Sequence, residues 1–205
     1  MEENITINRQ QELSIEKFII LTLDFLFLPS KSTINELRQF RIGFRPFVIF
    51  ILSIFTFSLS TNILINKSSL QTTFVFFFLL LFLSIGKIIS FSAWIHFITG
   101  IYDKCGDIKF FINTLFLSYT PLFLSLPLIN ISFLTCNDNP MFLYILVLLL
   151  IFLSIGLNIF IAVKENYLLT TRDAITFIIL PVFIINVLII VFIIGIIGLL
   201  YFMLF

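Results

Sequence analysis

The sequence predicts an all-α polytopic membrane protein with five transmembrane helices, preceded by an interfacial amphipathic N-terminal segment. Of its 205 residues, 60% are hydrophobic and only 11% are charged, whereas a soluble domain carries about 25% charged residues. The mean hydropathy is +1.18. Several apolar runs approach or exceed the length of about 20 residues that lets a helix cross a hydrocarbon core of about 30 Å. Lipid is therefore the expected solvent for most of the chain.

Residues 1–46 are predicted to form a cytoplasmic N-terminal region. An apolar run over 13–28 is interrupted by Glu16, Lys17 and Asp24. A charge at the centre of a span costs about 2.5–3.5 kcal/mol, so three charges argue against a transmembrane helix. We expect this run to be an amphipathic helix that lies on the cytoplasmic surface of the membrane.

A second short helix and a basic collar connect this segment to the first span. The helix is predicted over 33–40, with Ser32 or Thr33 as its N-cap, because a hydroxyl oxygen accepts hydrogen bonds from the first free amides of a helix. Basic side chains follow it directly, and we expect them to face the cytoplasm. The collar consists of Arg38, Arg41 and Arg45.

Residues 47–205 are predicted to cross the membrane five times, because five apolar runs alternate with short polar turns. Pro121 and Pro127 fall within the third run and Pro181 within the fifth. A proline removes a helical hydrogen bond, so these residues are expected to bend their helices. The spans run roughly over 47–65, 74–98, 110–134, 141–163 and 174–204.

The basic residues are distributed unevenly between the two sides of these spans. Of the 12 lysines and arginines, Lys67 lies on one side, Lys87 lies within a span, and the other ten lie on the opposite side. Basic residues favour the cytoplasmic side of a membrane. The sequence therefore predicts a cytoplasmic N-terminus and an outward C-terminus.

Lys87 is the most unusual residue because it lies near the middle of the second span. A buried ammonium must pair, extend to the headgroups or lose its proton, and no acid lies within a predicted span. Tyr119 and Asn186 reach a similar depth, as does the carbonyl of Leu117, which Pro121 leaves without its helical donor. One hypothesis is a mid-membrane polar cluster of Lys87, Tyr119 and Asn186. The other is that the span shifts and Lys87 reaches headgroups or water.

Other polar residues of the spans are predicted to serve packing and anchoring. His96 is the one histidine, and with Trp94 and Tyr102 it falls near the cytoplasmic interface, where amphipathic rings settle. Asparagine side chains within spans can donate hydrogen bonds between helices. These asparagines are Asn113, Asn130, Asn158 and Asn186.

The pentapeptide FLSIG occurs twice, at 82–86 in the second span and at 152–156 in the fourth. One interpretation is a repeated helical hairpin of the kind found in transporters. The other is coincidence, because a few apolar residue types make up most of this chain.

Catalytic, cofactor-binding and metal-binding residues are not expected. The sequence contains no phosphate-binding loop, nucleophile elbow, carboxylate pair within a span or zinc-ligand spacing, and Cys105 and Cys136 are far apart. The net charge of +1 provides no general attraction to nucleic acid. The sequence therefore favours a protein that is not an enzyme, has no cofactor and does not bind nucleic acid.

The chain resembles the Yip family of Ypt/Rab-interacting membrane proteins, in its prokaryotic-type branch. The resemblance is carried by FLPSK at 27–31, AWIH at 93–96, SYTP at 118–121 and ENYLL at 165–169, and it covers roughly residues 25–200. It implies a multi-pass scaffold without catalytic residues, in what we expect to be a prokaryotic plasma membrane. Eukaryotic members of this family act in membrane trafficking and engage prenylated small GTPases.

These observations favour a non-catalytic membrane scaffold, or a membrane-organising protein of the trafficking type. Its expected partners are the lipid bilayer and other membrane proteins or further copies of itself, and a small GTPase only if the chain is eukaryote-like. The alternative is a small transporter or permease subunit that uses the polar cluster around Lys87. A transporter needs a hydrated path to mid-membrane, which a scaffold does not need.

Overall fold

The computed structural model describes residues 14–40, 42–65, 70–104, 106–135 and 140–180, and within these ranges the chain is helical apart from short connections. The absence of strands from this part of the chain confirms the all-α class. A 3₁₀ helix, Thr120–Leu124, separates α5 from α6, and α8 occupies 171–180. The other helices are α1 (Ile15–Phe27), α2 (Lys31–Gln39), α3 (Arg45–Ile65), α4 (Leu70–Ile101), α5 (Ile108–Ser118), α6 (Ser125–Thr135) and α7 (Pro140–Asn166).

Within the described residues, four segments are long and apolar enough to cross a membrane. They coincide with the first four predicted spans. The fifth predicted span, 174–204, is helical as far as residue 180, and the remainder, with Pro181 and Asn186, lies outside the described residues. A total of five spans therefore stays a prediction. The four segments are Arg45–Ile63, Gln71–Ile101, Ile108–Ser132 and Phe142–Asn166.

The third of these segments is broken at Pro121, as the sequence predicts. The α-helix ends at Ser118, and the chain continues as the short 3₁₀ helix. The Thr120 hydroxyl donates to the carbonyl of Leu117 at 2.5 Å, so a neighbouring side chain replaces the backbone donor that proline cannot provide. Pro127 lies in the first turn of α6, where a missing amide is tolerated, so it begins a helix rather than bending one.

The ends of α4 and α7 have the same local geometry. Asp103 and Leu168 follow them with φ angles of 54° and 51°, in the left-handed region that closes many helices. The next amide in each case bonds back to an earlier carbonyl, Lys104 to Thr99 and Leu169 to Lys164, both at 2.9 Å. These two ends and the start of α5 lie together, because Asn166 Nδ2 donates to the carbonyl of Asp107 at 3.3 Å. We call this the basic end of the bundle, since Lys104, Lys109 and Lys164 lie there.

The core forms where α3 and α7 pack on the broken third segment. Helix α3 contacts α4, α5, α6 and the 3₁₀ helix, and α7 contacts α5, α6 and the 3₁₀ helix. Phe50, Ile95, Phe111 and Ala162 are completely buried in one cluster. Phe50 packs against Phe116, with ring centroids 5.0 Å apart. The large aromatic content of the sequence is thus used in interlocking ring contacts between helices.

Helices α1 and α2 form an antiparallel pair, which we call the N-terminal hairpin. Lys17 lies 3.4 Å from Glu36, and the Thr33 hydroxyl donates to the Asp24 carboxylate at 2.6 Å. Of the three charges that argue against a span, α2 therefore pairs Lys17 with an opposite charge and gives Asp24 a hydrogen-bond donor. Ser30 accepts a hydrogen bond from the Thr33 amide, so α2 begins two residues before its predicted start, and the predicted N-cap of Ser32 or Thr33 was wrong.

The N-terminal hairpin packs directly on the spans. Phe18, Phe25 and Leu37 share a buried cluster with Phe110 and Leu117 of α5. Because apolar contact holds it there, the hairpin and the described spans form one continuous structure.

Candidate functional site

The loop end of the N-terminal hairpin is held by two polar residues of α7. Asn158 Nδ2 donates to the carbonyl of Phe25 at 2.8 Å, and Ser154 Oγ donates to the carbonyl of Phe27 at 3.0 Å. The last carbonyls of a helix have no intrahelical partner, so α7 satisfies two of the groups that α1 leaves free. Asn158 thus donates between helices, as the sequence predicts for span asparagines.

These two bonds show how far α1 reaches along the bundle. Asn158 and Ser154 precede the end of α7 at Asn166 by about two and three turns, which is about 12 and 18 Å along the axis at about 1.5 Å per residue. A hydrocarbon core is about 30 Å thick. The end of α1 therefore lies beside the middle of an apolar segment long enough to cross a membrane.

The opposite face of α1 is apolar and exposed. Phe27 is 73% exposed and Ile15 is 69% exposed. The face extends from Ile15 to Phe27 and is interrupted in its first turn by exposed Glu16, so it is an apolar surface rather than a single exposed side chain. Its members are Ile15, Ile19, Ile20, Leu23 and Phe27.

The other end of the hairpin is fastened to the last turn of α7 by Arg38. Its Nη2 donates to the carbonyl of Glu165 at 3.0 Å and to that of Asn166 at 3.4 Å. Lys31, the first residue of α2 beside the hairpin loop, also reaches this turn, with its Nζ 3.9 Å from the Glu165 carboxylate. A cation is favourable at a helix C-terminus, where carbonyls are free and the helix dipole is negative. Arg38 therefore acts as a side-chain cap for α7.

The predicted basic collar is only partly described. Besides capping α7, Arg38 lies over the ring of Phe110, 5.2 Å from its centroid. Arg45 lies 5.8 Å from the ring centroid of Phe18, and Arg41 lies outside the described residues. Both described members thus contact aromatic rings of neighbouring helices. A role for the collar as a cytoplasmic interaction surface stays a prediction.

Two members of the predicted mid-membrane cluster meet at one cavity. Lys87 and Tyr119 both line a cavity of about 210 Å³, together with Gly156 and Ile159 of α7. The ring of Tyr119 packs edge-on against Phe50 at 5.3 Å. Asn186 lies outside the described residues, so the cluster of three stays a prediction. The carbonyl of Leu117, a suggested partner of Lys87, is bound by Thr120 instead.

His96 is joined to the basic end by Tyr167, a partner that the sequence analysis did not identify. His96 Nδ1 and the Tyr167 hydroxyl are 3.2 Å apart, and the Tyr167 ring packs on Phe111 at 5.3 Å. Burial raises the pKa of Tyr167 from 10.0 to about 12; the hydrogen bond with Asn166 lowers it, and the Asp107 carboxylate raises it further. This arrangement connects α4, α5 and α7.

The class of this protein rests on its structure, because comparison with known proteins found no match. No family model, curated protein or solved structure matches the chain. The fold and the site define an all-helical membrane protein with at least four candidate spans in its described part, to which a helical hairpin is fastened at both ends.

Sequence reasoning missed the residues that fasten this hairpin. Asn158 was expected only as a general donor, and Ser154 was given no contact. Tyr167, which joins α4 rather than the hairpin, was also given no contact. Their partners are backbone carbonyls or distant side chains, for which a sequence carries no local signal. A polar residue flanked by apolar ones in a span is the one available hint.

Proposed function

We propose that this protein is a non-catalytic membrane scaffold of the membrane-organising type, in which the N-terminal hairpin occupies one half of the bilayer. The resemblance to the Yip family supports the same class. We place the protein in a prokaryotic plasma membrane, with the lipid bilayer and other membrane proteins or further copies of itself as partners. A small GTPase is a partner only if the chain is eukaryote-like.

The attachment of α1 beside the middle of α7 is the observation that carries the proposal. The bonds from Asn158 and Ser154 keep the end of α1 about 12 to 18 Å from the end of α7, while the exposed face of α1 is apolar. Lys17 and Asp24 bond to α2. An apolar face exposed at this depth is compatible with acyl chains and costly in water.

A hairpin inserted to this depth occupies volume in one leaflet of the bilayer. Helix α1 has 13 residues, which is about 20 Å of helix against a core of about 30 Å. It therefore cannot reach the opposite leaflet, and it acts as a wedge in the manner of amphipathic helices that respond to curvature. We infer that the protein favours membranes curved toward that leaflet.

The position of the basic residues supports a cytoplasmic location for this wedge. Lys104, Lys109 and Lys164 lie at the basic end of the bundle, and Arg38 of the hairpin bonds there. Basic residues concentrate on the cytoplasmic side. The N-terminus is thus proposed to be cytoplasmic and the C-terminus outward.

Spin labels on single cysteines test the depth of the hairpin. In a chain with Cys105 and Cys136 replaced by serine, Phe27→Cys is compared with Phe82→Cys on α4, which is 80% exposed, and with Lys104→Cys in the turn after α4. We expect the label at residue 27 to resemble that at 82, with strong collisions with oxygen and weak collisions with a water-soluble nickel chelate. A label at 27 that behaves like the one at 104 contradicts the proposal.

The proposed membrane-organising activity is tested by measuring whether the protein prefers curved membranes. The labelled protein is reconstituted in giant vesicles, and its density on a pulled membrane tube is compared with that on the parent vesicle. We expect enrichment on the tube, and loss of enrichment in a variant with Ser154→Ala and Asn158→Leu. The matched control carries Ser84→Ala and Asn130→Leu on α4 and α6. Equal tube and vesicle densities for the unchanged chain would refute the activity.

The cavity shared by Lys87 and Tyr119 favours a transporter as the second candidate. Both residues face a space that a small solute could enter, although most of its lining is apolar. Thermal stabilisation of the purified protein by one class of small solute, abolished by Lys87→Gln, would favour this function over the scaffold.

A further inference from the structure

Two cavities at the basic end join into one groove between α5 and the start of α3. The first has a volume of about 420 Å³ and the second about 300 Å³. Gly43 and Asn113 line both, so the cavities adjoin. Their combined size falls in the range of small-molecule sites, about 300–1,000 Å³.

The first cavity has charged residues in its lining, and their net charge is positive. Arg38 and Lys109 contribute two cations, and Asp107 contributes one carboxylate. That carboxylate already accepts from the amides of Lys109 and Phe110 at 2.8 and 3.2 Å, as the N-cap of α5. The lining therefore sums to one positive charge, which favours an anion.

Arg38 has one buried donor without an acceptor among the described residues. Its Nη2 is occupied by α7, but its Nε is buried and has no hydrogen-bond partner among the described residues. A buried donor of a charged group is costly when it is unsatisfied. Burial shields Nε from the first cavity, so Arg38 contributes its charge there rather than a free donor.

The second cavity is lined by aromatic rings. Phe47 and Phe116 pack edge-to-face at 5.2 Å, and Phe44 is 83% exposed. Lys109, Asn113 and Phe116 are spaced four and three residues apart, so they share one face of α5 and change from charged to apolar along it. The groove therefore runs from a cationic entrance at the basic end into the apolar part of the bundle.

We propose that this groove binds one anionic phospholipid. Its phosphate lies at Arg38, Lys109 and Asn113, and one acyl chain passes over Phe44, Phe47 and Phe116. The change from cationic to aromatic lining matches a molecule with a charged head and an apolar tail. Basic pockets at the end of a bundle suit such headgroups. A free phosphate would leave the aromatic part of the groove without a ligand.

Native mass spectrometry of the purified full chain in neutral detergent tests this site. The protein is titrated with dioleoyl phosphatidylglycerol and, separately, with dioleoyl phosphatidylcholine. We expect preferential retention of the anionic lipid, and about fivefold weaker binding after Lys109→Gln, because a basic residue at a membrane surface contributes about that factor. Lys104→Gln removes the same charge from the adjacent turn and is expected to leave binding unchanged.

Two further measurements test whether the aromatic end of the groove contributes to binding and whether the phosphate must belong to a lipid. Phe44→Ala is expected to weaken binding of phosphatidylglycerol, whereas Phe97→Ala, on α4 and 65% exposed, is not. Glycerol phosphate is expected not to displace the lipid. Equal losses in Lys109→Gln and Lys104→Gln, equal retention of both lipids, or displacement by glycerol phosphate would overturn the proposal.

Discussion

At the scale of single residues, Gly106 shows how tightly the basic end is packed. A β-carbon built on it would meet Tyr167 Cδ1 and Cε1 well inside van der Waals contact, and Asn166 Nδ2 at 2.8 Å. The phenol and amide that crowd it belong to the arrangement that connects α4, α5 and α7. A glycine therefore permits the turn before α5 to approach the end of α7.

Replacing Gly106 with alanine is expected to destabilise the protein by about 1–3 kcal/mol, the usual cost of overpacking a rigid site. The measurement is the midpoint of thermal unfolding in detergent. Gly100→Ala, near the end of α4 and with no atom within 4 Å of its built β-carbon, is the matched control and should not lower the midpoint. An unchanged midpoint for Gly106→Ala would contradict the packing.

Tyr167 is expected to make stability depend on alkaline pH. Its pKa is raised, from 10.0 to about 12, mainly by burial, so the folded state resists losing this proton more than the unfolded state does. The stabilisation is fully present below about pH 10 and is lost as the pH rises towards 12. Tyr167→Phe should reduce the slope of unfolding free energy against pH between these values. An identical slope in both proteins would count against the assignment.

At the scale of elements, the two copies of the FLSIG segment make different contacts. In α7 the FLSIG segment contributes Ser154, which bonds α1, and Gly156, which lines the Lys87 cavity. In α4 the same segment contributes Gly86 to an exposed face. The neighbours of a helix decide what its residues do, so the repeated hairpin stays a prediction.

The end of α1 is expected to loosen from α7 when the hydrogen bond from Asn158 is removed. Asn158→Leu deprives the buried carbonyl of Phe25 of its donor, at a cost of about 1–3 kcal/mol. Hydrogen exchange should increase in α1 and remain unchanged in α5. Asn130→Leu on α6 is the control. Equal protection of α1 in both variants would show that the bond from Asn158 does not help to hold the hairpin.

At the scale of the whole molecule, the basic end joins several helices through polar contacts. Arg38 caps α7, Asn166 bonds the turn before α5, and Tyr167 reaches His96 of α4. Because bases concentrate there, this end is proposed to face the cytoplasm.

Membrane orientation is tested by labelling from each side of sealed vesicles. A small tag at residue 1 is expected to be accessible from the cytoplasmic side alone, and a tag at residue 205 from the opposite side alone. Tags that react from the same side would contradict an odd number of spans.

The sequence by itself determined the class of the protein, because burial in lipid depends on runs of apolar residues that are local and countable. The four described spans, the break at Pro121 and the all-helical class followed from composition and spacing alone. Only the tertiary structure decided that Asn158 bonds to Phe25, that Arg38 caps α7 and that Lys87 shares a cavity with Tyr119. These contacts join residues far apart in the chain, and a hydrogen bond depends on positions within a few tenths of an ångström, which packing of the whole bundle sets.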